Sequence, residues 1–171
     1  MYASDPEMKS VKVQSMKPLP IGSKHHCFLS YKHSSAKDLA ARLYWQLVNR
    51  GFSCWYDQEC RGTVNRKKME RGVRKSMCYI LILSEGVFES EAVLFELETA
   101  LKQRKPIFMV HDPRTGQKDY PEFDDYKQQA PSDLLPYFDQ VQSLPLCIPH
   151  YLNSGVMREL EQRLVREIRR N

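Results

Sequence analysis

Residues 78–83 read Cys-Tyr-Ile-Leu-Ile-Leu, an apolar run without alternation. A strand with one wet face alternates. A strand that does not is covered on both faces, as the centre of a parallel sheet is. The sequence on either side supplies the neighbours such a sheet needs. Cys27-Phe28-Leu29-Ser30-Tyr31 predicts a strand over His26–Tyr31, and the amphipathic stretch from Ser35 to Asn49 predicts a helix. Ala36, Ala40, Leu43 and Leu47 make its apolar stripe, Ser35 is a candidate N-cap, Asp38 sits near the positive helix end, and Gly51 is a stop. Phe52–Asp57 predicts the next strand. A polar loop from Gln58 to Val64 then leads into a short helix carrying Met69 and Val73 on one side.

Beyond the central run, a helix is expected over Phe88–Gln103 and a strand over Pro106–His111. Six prolines between Pro113 and Pro149 weaken the pattern that follows. A helix around Asp133–Phe138 and an edge strand over Val141–Leu146 are expected there, because Pro145 is tolerated at an edge. Val156, Leu160, Leu164 and Ile168 mark a final helix, with arginines crowding its C-terminal end where the dipole favours cations. Five strands alternating with helices predict an α/β fold: a flavodoxin-like, doubly wound, five-stranded parallel sheet of order 2-1-3-4-5 with helices on both faces. Residues 1–22 lack periodicity and contain Pro6, Pro18, Pro20 and Gly22, so they read as a flexible leader or linker, leaving 23–171 as one domain.

Composition narrows the function classes. Lys and Arg outnumber Asp and Glu by 26 to 21, a net charge of +5, which is a solvated basic surface rather than a nucleic-acid face. No apolar run approaches the roughly 20 residues needed to span a bilayer. No secretory signal is visible at the N-terminus. Five cysteines are present, and Cys27, Cys54 and Cys78 fall inside strand-like runs, where thiols behave as small buried hydrophobes. A reducing, cytoplasmic location is expected. With no Cys-x-x-Cys pair, and no further ligands to join His25-His26, no metal is expected.

In a sheet of this order the ligand crevice lies at the switch point between the first and third strands, lined here by Tyr31–Ser34 and Ser84–Phe88. A phosphate-receiver site needs acids after the first strand and an Asp ending the third; Ser30-Tyr31 and Leu83-Ser84 stand there instead. Residues 32–38 hold no glycine, which excludes a Gly-rich phosphate cradle but not a nucleotide held otherwise. On the helix of residues 88–103, Val93, Leu94, Leu97, Ala100 and Leu101 form the buried stripe, and Glu96 falls about 100° from its centre, at the border of the core. Phe95 points away from the stripe, either marking a subunit contact or packing under a loop. His111-Asp112 is a capped strand end, since no nucleophile is placed with it.

These residues resemble a known family. Phe28-Leu29-Ser30-Tyr31 with Leu39-Ala40, Gly51-Phe52 leading to Tyr56-Asp57, and Ile82-Leu83-Ser84 are similar to the strand motifs of Toll/interleukin receptor (TIR) domains. Phe95-Glu96-Leu97 with Thr99-Ala100-Leu101 resembles the helix that bears the catalytic glutamate in NAD-cleaving TIR domains. The likeness covers about residues 24–112. It implies an NAD⁺ glycohydrolase that releases nicotinamide and ADP-ribose, or a cyclic form, activated by self-association in signalling, immunity or cell death.

By that resemblance Glu96 is catalytic. The resemblance also implies that Lys32, His33, Trp55 and Asp57 bind substrate and that Arg61, Gly62, Thr63, Val64 and Asn65 form the assembly loop; Ser30, Tyr31, Ser84 and Phe88, at the crevice, are expected to bind substrate beside them. NAD⁺ is substrate, and no cofactor is implied. The partners implied are NAD⁺, further copies of the chain and other TIR proteins. Two departures stand out: the loop lacks Asp-Pro-Gly, and Ala92 stands where some NAD-cleaving members carry Trp. The alternatives are a non-catalytic adaptor working through homotypic contacts and a nucleotide sensor that binds without cleaving.

Overall fold

A computed structural model describes residues 15–146 and 153–170. The sheet is built from β1 (His25–Ser30), β2 (Cys54–Trp55), β3 (Ser76–Leu83), β4 (Ile107–His111) and β5 (Leu144–Pro145). All four pairings are parallel and the order is β2-β1-β3-β4-β5, as the alternation of strands and helices predicts. Every residue of β3 is buried, which accounts for its unbroken apolar sequence.

The helices divide between the two faces. On one, α1 (His33–Asn49) and α6 (Asn153–Arg170) bury Leu43, Leu47, Leu160 and Leu164 against Ile80, Ile82 and Val110. On the other, α2 (Arg66–Lys75), α3 (Glu91–Lys102) and α4 (Phe123–Gln129) bring Val73, Val93, Leu97 and Tyr126 onto Phe28, Tyr79 and Leu81. A short α5 (Leu135–Gln140) precedes β5. Alternate positions of β3 from Cys78 to Leu83 therefore serve different cores, as the pleat requires.

Several element bounds differ from the sequence reading, each for a local reason. β1 ends at Ser30, and α1 starts two residues early, after Lys32, with no side-chain cap. The expected cap, Ser35, lies inside the helix and shares a 2.8 Å hydrogen bond with Ser84 instead. β2 keeps only two ladder residues, because the Ser53 amide donates to the His26 imidazole (2.8 Å) and Asp57 already opens a 3-10 turn. The helix expected from Phe88 begins at Glu91: Gly86 adopts a left-handed conformation (φ +66°), a 3-10 turn holds Phe88, and Ser90 caps the helix by accepting from the Val93 amide (3.4 Å).

α4 was not expected from the sequence; a reciprocal capping box between Glu122 and Asp125 starts it. Of the leader expected over residues 1–22, the first fourteen lie outside the described residues. Within the remainder, the Lys17 amide donates to the Gly51 carbonyl (2.7 Å) and the Pro18 carbonyl accepts from His26 Nε2 (3.0 Å). No helix among the described residues is long and apolar enough to cross a membrane.

Candidate functional site

The carboxyl ends of β1 and β3 bring together groups that lie far apart in sequence. Ser30, the last residue of β1, points to the α2/α3 face and donates a 2.6 Å hydrogen bond to Glu96 Oε2 on α3. Glu96 is 8% exposed. The helical wheel sets it at the border of the core; in the fold, the packing of α3 on the sheet draws it well inside. Burial pushes its carboxyl up to about 8, the Ser30 hydroxyl works against that rise, and the negative charge of Asp57 adds to it. Near neutral pH most Glu96 carboxyls therefore carry a proton. Tyr79 on β3 lies on the same face, fully buried, with its ring stacked on Phe28 (5.7 Å between centroids).

The remaining candidates form a second tier around this pair. Tyr31 donates to Asp57 Oδ1 at 2.6 Å, and burial followed by that carboxylate holds the phenol far above its ordinary range. His33 is exposed and lies beside the Tyr31 ring, 6.3 Å between centroids. Lys32 pairs with Glu89 Oε2 at 3.0 Å. The turn after β3 favours glycine for its positive φ; an added Cβ would meet only the movable ends of that Lys32–Glu89 pair. Ser84 is buried against Ser35. Trp55 and Phe88 are each 8% exposed and turn into the α2/α3 core; Trp55 stacks on Phe28 with 4.3 Å between centroids.

The loop 61–65 folds onto the start of α2. Lys68 Nζ donates to the carbonyls of Arg61 and Thr63 (3.3 Å to the latter), and Asn65 caps the helix by accepting from the Lys68 amide at 3.0 Å. Val64 packs against the core, while Arg61, Gly62, Thr63 and Asn65 are exposed. The next residue, Arg66, lays its guanidinium over the Phe95 ring, 5.1 Å from its centroid. Phe95 thus packs beneath the loop-to-α2 junction, which couples the loop to the helix that carries Glu96.

The switch-point crevice is present but displaced from where the sequence sets it. A cavity of about 500 Å³ is lined by His33, Ser34, Ser35 and Asp38 at the head of α1 and by Asp112 and Arg114 beyond β4. It lies on the α1 side of the sheet, whereas Glu96 lies on the α3 side. His111 and Asp112 do not act as a pair. His111 Nδ1 bonds Ser143 Oγ (2.9 Å), and Asp112 binds Arg114 through both carboxylate oxygens. Burial pushes the Asp112 carboxyl up, but the Arg114 hydrogen bonds outweigh it and hold the group below its ordinary range.

Sequence reasoning missed Ser35 as a partner of Ser84, the left-handed turn at Gly86, and Tyr79 as a neighbour of Glu96. Gly86 was detectable as the glycine just after a strand end. Tyr79 was not, being hidden in an apolar run.

Comparison with known proteins follows the fold. The family model for the TIR domain matches residues 27–144. A metazoan TIR-STING receptor from C. gigas, solved with 2',3'-cGAMP, superposes with a TM-score of 0.63 at 19% identity, over 88% of this chain and 42% of that one. The TIR domain of the Toll-related receptor TRR-2 from Hydra magnipapillata gives a TM-score of 0.58 at 13% identity, over 82% of this chain and 98% of that domain. The TIR domains of the activated Roq1 resistosome, which directly recognizes the pathogen effector XopQ, give 0.58 at 16% identity, over 82% and 99%. At such identities the likeness is one of fold, and the chain spans less than half of the TIR-STING receptor. No curated protein matches the sequence.

Proposed function

Because the chain belongs to the TIR domain family, a premise carried by the match over residues 27–144, we propose that it cleaves the nicotinamide–ribose bond of NAD⁺ with Glu96 as the catalytic residue. The observation that carries this reading is the buried carboxyl held by Ser30 at the end of the central strands, with its proton affinity raised towards neutrality. Strongly perturbed carboxyls in such positions are expensive for a fold and are characteristic of working sites.

Nicotinamide in NAD⁺ is already a cationic leaving group. Its departure leaves an oxocarbenium-like ribose, which an ionised Glu96 stabilises by its charge and orients through the ribose hydroxyls. Water then attacks the ribose carbon and loses its proton to give ADP-ribose; an adenine nitrogen attacking instead gives the cyclic product. Lys32, His33 and Asp57 are the polar groups placed at neighbouring strand ends to hold the rest of the nucleotide.

Self-association belongs to the same proposal. Loop 61–65 is exposed at its tip, and the Arg66–Phe95 contact ties its base to the Glu96 helix. A second copy seated on the loop would therefore act on the helix that carries the carboxylate. The setting proposed is cytoplasmic signalling.

A second reading has its own support. Glu96 is closed off, Trp55 and Phe88 have their faces covered by core, and the open cavity lies across the sheet. These features suit a signalling module that binds other TIR domains without turnover. Incubating the protein with NAD⁺ over rising protein concentrations, with and without a crowding agent, separates the two. Nicotinamide release that grows more than linearly with protein concentration is the expected result. NAD⁺ that stays whole throughout would remove the catalytic reading and favour the interaction module.

A further inference from the structure

Among the described residues two buried side-chain polar atoms make no hydrogen bond, and one is the hydroxyl of Tyr79. Tyr79 is fully buried on β3, opposite Phe28, and Ser30 lies opposite Leu81, two residues further along the same face. The polar groups that act on its hydroxyl are Ser30, which stands within reach of it but without hydrogen-bond geometry, and Glu96, whose charge disfavours the phenolate. A phenylalanine would fill the same space and stack equally on Phe28 without stranding a polar atom. The hydroxyl costs stability where it stands, so its use lies elsewhere.

Protonation of Glu96 supplies that use. A neutral carboxyl carries its own donor and is served by one contact with Ser30. A carboxylate is acceptor-only, with about four lone-pair sites, and needs donors. Ser30 has one proton to give and two lone pairs with which to accept. The groups facing Glu96 are Ser30 from β1, Tyr79 from β3, and Asp57 after β2, whose negative charge opposes ionisation. Burial pushes the Tyr79 phenol well above its ordinary range, so it remains a donor at every pH where Glu96 titrates.

We propose that Tyr79 is a positioning residue for Glu96: its unpaired hydroxyl is a reserve donor that closes on Ser30 when Glu96 ionises, completing a relay from Tyr79 through Ser30 to the carboxylate. The relay rests on the reading that Glu96 works as a carboxylate. No covalent bond changes, and no proton passes along it; one hydroxyl turns and one hydrogen bond forms. Preorganised donors of this kind lower the cost of placing charge in a dry site.

The Tyr79→Phe variant removes only the hydroxyl. The reading is the titration of the Glu96 carboxyl, followed by its ¹³C shift, with the signal identified by its disappearance in Glu96→Gln. The midpoint in Tyr79→Phe is expected to rise by about one pH unit over wild type, with the unfolding midpoint kept or raised. The pH profile of kcat/KM for NAD⁺ cleavage should move the same way. Ser30→Ala should also raise the midpoint, and adding Tyr79→Phe in that background should change nothing more. A Glu96 midpoint unmoved in Tyr79→Phe, or a shift that persists in full without Ser30, overturns the relay. A wild-type protein that leaves NAD⁺ intact while the midpoint still moves supports the relay and removes the catalytic reading alone.

Discussion

Glu96→Gln is expected to abolish nicotinamide release and, in the same molecule, to make the fold more stable at alkaline pH. The amide fills the space of the carboxyl, and the Ser30 hydroxyl can donate to its oxygen or accept from its nitrogen, so packing is kept. What is lost is the charge opposite the developing ribose cation, a loss of at least about 10²-fold in rate. The stability gain follows from linkage. The carboxyl titrates at about 8 in the fold and near 4.3 when unfolded. Between those values the native state holds a proton that the unfolded chain has released. The contribution of Glu96 to stability is thus fully present below the lower value and is lost as pH rises through the upper one. The loss is on the order of a few kcal/mol, and glutamine has nothing to lose. Urea unfolding at pH 6 and pH 9 checks this: the variant should gain on wild type between the two. An equal pH dependence in both proteins would mean that Glu96 is not the buried acid described.

Gly72→Ala is expected to destabilise the protein, against the usual rule for a glycine inside a helix. Alanine normally gains about 1 kcal/mol at such a position. Here an added Cβ would stand 2.6 Å from two atoms of the Trp55 indole and 2.9 Å from a third. The indole cannot swing aside freely, because its other face is stacked on Phe28 at 4.3 Å. Either the ring leaves its place or α2 lifts from the sheet, at a cost of about 1–3 kcal/mol before the helix gain is set against it. Lifting α2 also moves loop 61–65, which is anchored on its first turn through Asn65 and Lys68. The variant should therefore lose stability in urea and change the near-ultraviolet signal of Trp55, and its activity should require more protein. A stabilised variant would contradict the close approach of α2 to Trp55.

The parts of the fold that were legible in the sequence are those where one residue pattern answers to one environment. β3 could be read from its lack of alternation, α1 from Leu43 and Leu47, and the sheet order from the alternation of elements. α4 could not be read: it is seven residues long, begins after Pro121, and is started by Glu122 and Asp125 rather than by Ser or Thr. β2 was overread because a histidine ring on the neighbouring strand takes the Ser53 amide in place of a ladder bond, which no local pattern records.

The site divides in the same way. Glu96 could be singled out by its angle on one helix, and its family likeness gave it a role. Its partner Ser30 lies 66 residues away, and the depth of burial that sets its proton affinity comes from packing between elements. Trp55 was singled out as an aromatic near a strand end. Its faces are covered by Gly72 and Phe28, both remote from it in sequence.

The most direct measurement is kcat/KM for nicotinamide release from NAD⁺ between pH 6 and 9.5, in wild type and Glu96→Gln at equal protein concentration. Since this ratio reports the free enzyme, the wild-type profile should rise to a plateau with a midpoint near the Glu96 value of about 8. The variant should lie flat at the uncatalysed level. Turnover in Glu96→Gln that matches wild type, or a wild-type rate that falls as pH rises through that midpoint, would contradict the account.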